Sequence, residues 1–176
     1  IITLNVEDEL GESCSDLVVH HRLPLNAAPQ ISEVTLSPNP VYSDTVLTCV
    51  AAASDPDGDA LDYSYVWTNL STGMVLGNHS SLSLNSTMVA PYEQVECTAT
   101  VQDPDGDSDS LGASIGIQNS NPVIDSLSLT PQPPKVGDTV SCNATITDID
   151  QDTLSTQYEW RNASNGSLLG NGNTLT

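Results

Sequence analysis

Aspartates recur at every second position in two short loops of this sequence, and each loop also contains a glycine that permits a tight turn. The residues are Asp55, Asp57, Gly58 and Asp59 in the first loop, and Asp103, Asp105, Gly106 and Asp107 in the second. Calcium is a hard cation that takes roughly six to eight oxygen ligands, and carboxylates at alternating positions can surround one such ion. The pattern therefore predicts calcium binding rather than catalysis.

The predicted calcium site extends beyond these two loops. A third acidic loop, one further aspartate and the amides of a linker add Asp148, Asp150, Asp152, Asp109, Asn119 and Asn121. A fourth, degenerate acidic loop contains Glu7, Asp8 and Glu12. The alternative is a set of solvated turns, since aspartate and glycine are common turn residues. The loops do not match the EF-hand pattern, which requires a closing glutamate.

The charge balance also favours a cationic partner. The chain of 176 residues carries three basic and 23 acidic residues, for a formal net charge of −20. Nucleic acid binding requires lysine and arginine to neutralise phosphates, and an anionic membrane surface attracts the same residues. We therefore expect no nucleic acid partner. We also expect no membrane insertion, because no apolar run approaches the roughly 20 residues of a membrane helix.

Strands are the elements that must position these loops, because apolar and polar residues alternate on both sides of them. The clearest alternating segments contain Tyr63, Tyr65 and Trp67; Val95, Cys97, Ala99 and Val101; Leu111, Ala113 and Ile115; and Val140, Cys142, Ala144 and Ile146. A period of two is typical of strands with one buried face. No segment has a helical period, so we predict an all-β fold.

A cysteine, a tryptophan and a second cysteine stand on three of these segments. Trp67 follows Cys49 by 18 residues, and Cys97 lies on a later segment. In an immunoglobulin-type sandwich, a buried tryptophan packs against a disulfide between the two sheets. The pattern predicts that Cys49 and Cys97 form this disulfide. In such a sandwich the two acidic loops and the preceding linker lie at one end, where calcium would rigidify a joint between domains.

The sequence repeats with a shift of 93 residues, which places Cys49 on Cys142 and Trp67 on Trp160. We predict tandem immunoglobulin-like β-sandwiches, one complete and two complementary partial domains. Residues 27–120 form the complete domain. Residues 1–26 resemble the terminal strands, F and G, of a split domain, and residues 121–176 resemble the first strands, A to E, of a second split domain.

A partial sandwich exposes its inner face and an open sheet edge, so we expect another segment to complete residues 121–176. One hypothesis is that residues 1–26 of another copy supply the missing strands, which would give a head-to-tail filament. The alternative is that the sequence is a window of a long tandem array, with the missing strands following in the same chain. Both hypotheses predict an extended polymer of copies or neighbouring repeats.

Four cysteines beside strand patterns indicate an oxidising, extracellular or cell-surface setting. The pairing of Cys49 with Cys97 leaves Cys14 and Cys142, which either form a second disulfide across copies or stay free. Six Asn-x-Ser/Thr sequences predict N-linked glycans at Asn69, Asn78, Asn85, Asn143, Asn162 and Asn165. The alternative is a surface rich in serine, threonine and asparagine that carries no sugar.

The run Asp103–Asp107, the matching run Asp55–Asp59 and the linker Asn119–Pro122 resemble bacterial and archaeal tandem Ig-like repeats, which are similar to PKD and cadherin-like domains. The resemblance implies a surface protein built from strings of β-sandwiches, often with calcium at the joints. The cysteines and Trp67 depart from the usual cysteine-free bacterial repeat.

These observations favour a structural role, as a subunit or segment of an extracellular filament or stalk with calcium-stabilised joints. The alternative is a cell-surface adhesin that binds a carbohydrate or protein ligand through exposed loops. A third hypothesis, an accessory domain of an enzyme, has only an analogy of fold behind it. No Ser–His–Asp, Cys–His or phosphate-loop spacing occurs in the sequence, so we expect no catalytic activity.

Overall fold

The computed structural model describes residues 2–18 and 25–176. Parts of the predicted terminal strands, residue 1 and residues 19–24, therefore lie outside the described residues. The described strands are β1 Ile2–Glu7, β2 Ser13–Val18, β3 Gln30–Ser37, β4 Val46–Ser54, β5 Asp62–Asn69, β6 Met74–Gly77, β7 Ser81–Ser83, β8 Gln94–Gln102, β9 Ser108–Gly116, β10 Val123–Thr130, β11 Val140–Thr147, β12 Glu159–Arg161, β13 Leu168–Asn171 and β14 Thr174–Leu175. The all-β prediction is confirmed.

The central unit, residues 30–117, is a sandwich-like pair of antiparallel sheets. One sheet has the strand order β3-β4-β7 and the other the order β6-β5-β8-β9. A parallel bridge between Val41 and Ile117 brings the chain after β3 to the second sheet. The disulfide between Cys49 of β4 and Cys97 of β8 joins the two sheets, which confirms the predicted pairing.

Side chains at alternating positions along the strands form the core of the central unit. Trp67 is fully buried between the sheets, and its indole N–H donates to the carbonyl of His79 at 2.7 Å. The core side chains packed with it include Val41, Leu47, Cys49, Leu82, Leu84, Val89, Val95, Cys97 and Ile117. Burial fades toward the ends of strands, since Tyr63 and Leu111 are partly exposed although their alternation places them on the inner face. Burying such side chains is the main stabilising contribution to the fold.

A second unit, residues 123–175, repeats the first five strands of the central unit, β3–β7, in its strands β10–β14. Leu129 pairs with Cys142 as Leu36 pairs with Cys49, and both units have a β-bulge at the same place in the first strand. Trp160 donates to the carbonyl of Gly172 as Trp67 donates to that of His79. Its sheets have the orders β10-β11-β14 and β12-β13. Among the described residues, no further strand pairs with either sheet.

Strands β1 and β2 form a separate hairpin that matches the β8–β9 hairpin in register. Glu7 pairs with Ser13 as Gln102 pairs with Ser108. Gly11 in the loop has a φ of +85°, and Gly106 in the corresponding loop has a φ of +97°; both values favour glycine. No helix is present in residues 2–18 or 25–176, so none is available there to cross a membrane.

The disulfide is expected to make a large contribution to the stability of the central unit. It closes a loop with a sequence separation of 48 residues, for which chain entropy predicts a stabilisation of about 4 kcal/mol. The double variant Cys49→Ala/Cys97→Ala should therefore lower the free energy of unfolding by about 2–5 kcal/mol. Urea unfolding followed by Trp67 fluorescence in a Trp160→Phe background measures the change.

The matched control for this prediction is Cys14→Ser/Cys142→Ser, because neither thiol belongs to the buried core of the central unit. The control should leave the unfolding midpoint of the Trp67 signal unchanged. Equal midpoints for the alanine variant and the parent chain would show that the disulfide does not stabilise the sandwich.

Candidate metal centre at two linker joints

At the first joint, a linker contacts both acidic loops of the central unit. The Asn26 side-chain amide donates to Asp103 Oδ2 and to Asp107 Oδ2, both at 2.9 Å. The backbone N–H of Ala27 donates to Asp57 Oδ2 at 2.8 Å. Residues from the linker, the loop after β4 and the loop between β8 and β9 therefore meet at one end of the sandwich, as the sequence predicts.

Each loop is also held by hydrogen bonds within itself. Asp55 Oδ1 accepts from the backbone N–H groups of Asp57 and Asp59, at 2.8 and 3.3 Å. In the other loop, Asp103 Oδ1 accepts from the N–H of Asp107 at 2.9 Å. These bonds point one oxygen of the first aspartate into its own turn and leave the other oxygen for the centre of the joint.

The first joint concentrates negative charge. Desolvation raises the pKa of Asp59, and repulsion from the carboxylates of Asp55, Asp105, Asp57 and Asp103 raises it further. Asp55 Oδ2 is a buried oxygen with no hydrogen-bond donor among the described residues. A buried acceptor without a partner is costly, because its desolvation is not compensated. A cation bound between the loops would relieve both the repulsion and the missing contact.

Hydrogen bonds stabilise the charged form of Asp103. The Asn26 amide is the largest cause that lowers the pKa of Asp103, followed by the backbone N–H groups of Asp107, Gly106 and Asp105. These donors act against desolvation, which alone would raise this pKa. Asp103 therefore stays ionised, as an oxygen ligand for a hard cation requires.

The second joint brings the third acidic loop against the far end of the central unit. One carboxylate oxygen from each of Asp148, Asp150 and Asp152 lies within 4.8 Å of the others, the only such acidic or metal-ligating group of three found in the described part of the chain. Asp150 is 9% exposed. Its Oδ2 accepts from the backbone N–H and the hydroxyl of Ser120, and its Oδ1 accepts from the hydroxyl of Ser43.

These serine contacts keep Asp150 charged despite its burial. Desolvation acts to raise the pKa of Asp150, but hydrogen bonds from Ser120 and Ser43 outweigh it, so the pKa lies below its ordinary value. Gln151 adds a further contact across the joint by donating to the hydroxyl of Ser86. The second joint thus holds a buried carboxylate between two units.

The two joints share one contact at equivalent positions. The N–H of Ala27 donates to Asp57 Oδ2, and the N–H of Ser120 donates to Asp150 Oδ2 at 2.6 Å. Ser120 and Asp150 each lie 93 residues after their counterparts. The shift that predicts the repeat therefore also applies to the hydrogen bond between linker and loop.

Some predicted site residues have other contacts. Asp109 Oδ2 accepts from the N–H of Ile31 at 2.8 Å, which ties β9 to the start of β3. Asn119 donates to the carbonyl of Ser120 and makes no hydrogen bond to the Asp148–Asp152 loop within the described residues. Asn121 is exposed and also makes no such bond. Both remain predicted ligands, and no metal contact is assigned to them.

Sequence reasoning missed Ser43 and the direct role of Ser120. The shift of 93 residues from Ala27 could have indicated the Ser120 backbone contact. Nothing in the sequence distinguishes Ser43, because its contact with Asp150 spans 107 residues and depends on how the units meet. Serine hydroxyls satisfy a buried carboxylate, which a turn pattern alone does not reveal.

The residues at both joints suit calcium in their donor chemistry. Carboxylate oxygens dominate, and hard cations of this kind prefer oxygen ligands on flexible loops. The orphaned Asp55 Oδ2 supplies a buried ligand atom at the first joint, and the Asp148–Asp152 group supplies three oxygens at the second. Calcium bound there would provide charge neutralisation and cross-linking of the loops, with no reaction.

The six predicted glycosylation sites differ in exposure, and one of them is not accessible. Asn69 is fully buried, and its amide donates to the carbonyl of Met88 and to Glu93 Oε2. A sugar on this nitrogen would break both contacts and require space in the core, so the folded sandwich does not accommodate a glycan at Asn69. Asn78, Asn85, Asn143 and Asn165 are exposed, and Asn162 is half-buried.

The remaining cysteines are not paired with each other within one chain. Cys14 is exposed on β2, and Cys142 is half-buried on β11; both are free thiols.

No family model, no curated protein and no solved structure matches this chain.

The Asn26 contact leads to a pH-dependent prediction. Replacing Asn26 with alanine should move the pKa of Asp103 up toward its ordinary value of 3.8. Because a lowered carboxyl pKa contributes stability above that value and loses it in acid, the variant should unfold more easily at neutral pH. The two stability curves should converge as the pH falls through the lowered pKa. NMR titration of the Asp103 carboxyl measures the shift directly.

Asn119→Ala is the matched control, since Asn119 occupies the equivalent linker position and contacts neither Asp103 nor Asp107. The control should leave the Asp103 titration unchanged. A normal Asp103 pKa in the parent chain, or the same low pKa in Asn26→Ala, would refute the proposed role of the linker amide.

Proposed function

We propose that this chain is a segment of an extracellular filament or stalk, in which calcium stabilises the joints between successive immunoglobulin-like sandwiches. The observation that carries the proposal is the repeated contact between linker and acidic loop. The Ala27–Asp57 and Ser120–Asp150 hydrogen bonds fix two successive linkers to equivalent loops. A contact that recurs with the domain repeat suits a protein whose function is to be long and stiff.

The immunoglobulin-like assignment is supported by the topology of the central unit. Its strand orders, β3-β4-β7 and β6-β5-β8-β9, correspond to the A-B-E and C′-C-F-G sheets of such domains. Trp67 is buried in the same core as the Cys49–Cys97 disulfide. The repeat of this pattern in residues 123–175 supports a tandem array.

Electrostatics support the part that calcium plays in the proposal. At the first joint, desolvation raises the pKa of Asp59, and the nearby charges of Asp55, Asp105, Asp57 and Asp103 raise it further. The chain as a whole has only three basic residues, and none of the described hydrogen bonds brings one to either joint. A divalent cation is a partner that would neutralise such a cluster of carboxylates.

An extracellular location is compatible with the disulfide and supplies the calcium. Disulfides persist in oxidising compartments outside the cytosol. Calcium sites in extracellular modules bind in about the 10⁻⁴–10⁻³ M range, so they are occupied only where calcium is abundant. Glycans on the exposed sequons would add a hydrated coat to one flank.

Calcium should raise the thermal stability of the chain through both joints. At a free calcium concentration 100 times Kd, linkage contributes about 2.7 kcal/mol per site. Asp57→Asn and Asp150→Asn each remove one carboxylate charge and keep an acceptor for the linker N–H, so each should weaken calcium binding at its own joint at least tenfold. Isothermal titration calorimetry at constant ionic strength measures the two affinities.

Glu96→Gln is the charge-matched control, because Glu96 lies in the middle of β8, away from both loops. It should bind calcium as the parent chain does. Equal weakening by all three variants would indicate non-specific charge screening, and no measurable binding to the parent chain at millimolar calcium would refute the proposed joints.

A further inference from the structure

The second unit has an open inner face that its counterpart in the central unit does not have. Leu127 is 65% exposed, whereas Val34 at the equivalent position is packed against the core. Trp160 and Cys142 are half-buried, whereas Trp67 and Cys49 are buried. The pairing of the first two strands and the tryptophan hydrogen bond are the same in both units. The exposure of the side chains therefore differs because no described strand covers the inner face of the second unit.

In the central unit, the β8–β9 hairpin provides this cover. Val95, Cys97, Ala99 and Val101 of β8 are all fully buried against the opposite sheet. The open face of the second unit therefore requires a hairpin with small or branched apolar residues at alternating positions. Burying it would stabilise the unit, since apolar surface removed from water contributes about 25 cal/mol per Å².

The β1–β2 hairpin has the required form. Asp8 Oδ1 accepts from the N–H of Glu12, as Asp103 Oδ1 accepts from the N–H of Asp107, both at 2.9 Å. Across these strands the correspondence is a shift of 95 residues. It places Leu4 on Ala99 and Val6 on Val101, and these two side chains are 64% and 58% exposed.

We propose that the β1–β2 hairpin of a second copy covers the open face of the second unit and completes it as a sandwich. This inference rests on the proposed function for its calcium part, because the same seating brings new carboxylates to the second joint. Each copy would then present one hairpin and one open face. An interface of this head-to-tail kind extends into a filament when it does not close on itself.

The β1–β2 hairpin cannot reach the open face of its own copy. If the β1–β2 hairpin covered the second unit of its own copy, the loop of the hairpin would lie at the second joint. The six residues of β2 would then place Val18 about 20 Å from that joint, at roughly 3.3 Å per residue. The nine residues of β9 put a further 30 Å or so between the second joint and Asn26. The eight residues from Val18 to Asn26 span at most about 29 Å. A second copy is therefore the occupant that this chain itself can supply.

Seating the hairpin would complete the second joint. In the central unit, Asp103 and Asp107 accept from the Asn26 amide. Their counterparts in the hairpin are Asp8 and Glu12, and the counterpart of Asn26 is Asn119. The second copy would therefore supply two carboxylates beside the Asp148–Asp152 group, and Asn119 would gain carboxylate acceptors, which it does not have among the described residues.

The alignment also decides which cysteines can meet. Ile2 takes the position of Cys97, because it pairs with Val18 as Cys97 pairs with Ala113. Ile2 of the second copy would therefore lie opposite Cys142. Cys14 takes the position of Asp109 at the joint end of its strand, about four residues or 13 Å from the level of Cys142. A disulfide requires Cα atoms within about 7 Å, so Cys14 and Cys142 should not pair.

Engineered disulfide formation tests the seating. In a Cys14→Ser background, Ile2→Cys should form an intermolecular disulfide with Cys142 when the reduced full chain is oxidised with oxidised glutathione. Non-reducing electrophoresis should then show a ladder of multimers. Asn5→Cys is the control, because its counterpart Thr100 lies between the buried positions 99 and 101; it should give no ladder through Cys142. Cys142→Ala should abolish the Ile2→Cys ladder.

Two results would overturn the inference. One is a chain that sediments as a monomer at all concentrations and gives no ladder with Ile2→Cys. The other is a ladder that is equally strong with Asn5→Cys, which would indicate random collisions. Calcium titration of the same samples separates the two proposals. Binding at the first joint without a ladder would refute only the hairpin seating, whereas a specific ladder without calcium binding would refute only the calcium joints.

Discussion

The joints between the units depend on how carboxylates are held at the ends of the sandwiches. Each joint places an aspartate against a linker backbone N–H, in the pairs Ala27–Asp57 and Ser120–Asp150. At Asp150, hydrogen bonds from Ser120 and Ser43 favour the ionised form of the acid, and burial opposes it. We propose that a bound cation compensates the negative charge that these hydrogen bonds leave at each joint. The strands serve to bring the linker and the loops together.

The two joints differ in what completes them. At the first, both acidic loops belong to one sandwich and meet the Asn26 amide. At the second, Ser43 of the central unit and Ser120 of the linker donate to Asp150, and Asn119 has no carboxylate partner among the described residues. The joints differ because the β8–β9 hairpin both covers the core of the central unit and carries the second acidic loop of that unit. The second unit has no such hairpin among the described residues. Under the proposed function, closing the core and assembling a metal joint would therefore be one event.

Much of the fold follows from local alternation, and less of the site does. The period of two around Trp67 and Cys97 predicts the strands and the disulfide, because residues on one face of a strand share one environment. An Asn-x-Ser/Thr sequence contains no information on the burial of its asparagine. The sequence at Asn69 therefore predicts a glycan, although the fold buries the side-chain amide of Asn69. The contact of Ser43 with Asp150 depends on two units meeting, which no local pattern encodes. Half-burial of Trp160 has the same origin, since cover comes from another segment.

The central claim is that calcium orders the linkers between units. The most direct test is ¹⁵N relaxation of the linker amides, residues 26–28 and 119–121, with and without calcium at constant ionic strength. The account predicts that calcium raises their order parameters toward the value of about 0.85 typical of rigid backbone, while amides in the middle of β8 do not change. Linker order parameters that are the same with and without saturating calcium would contradict it.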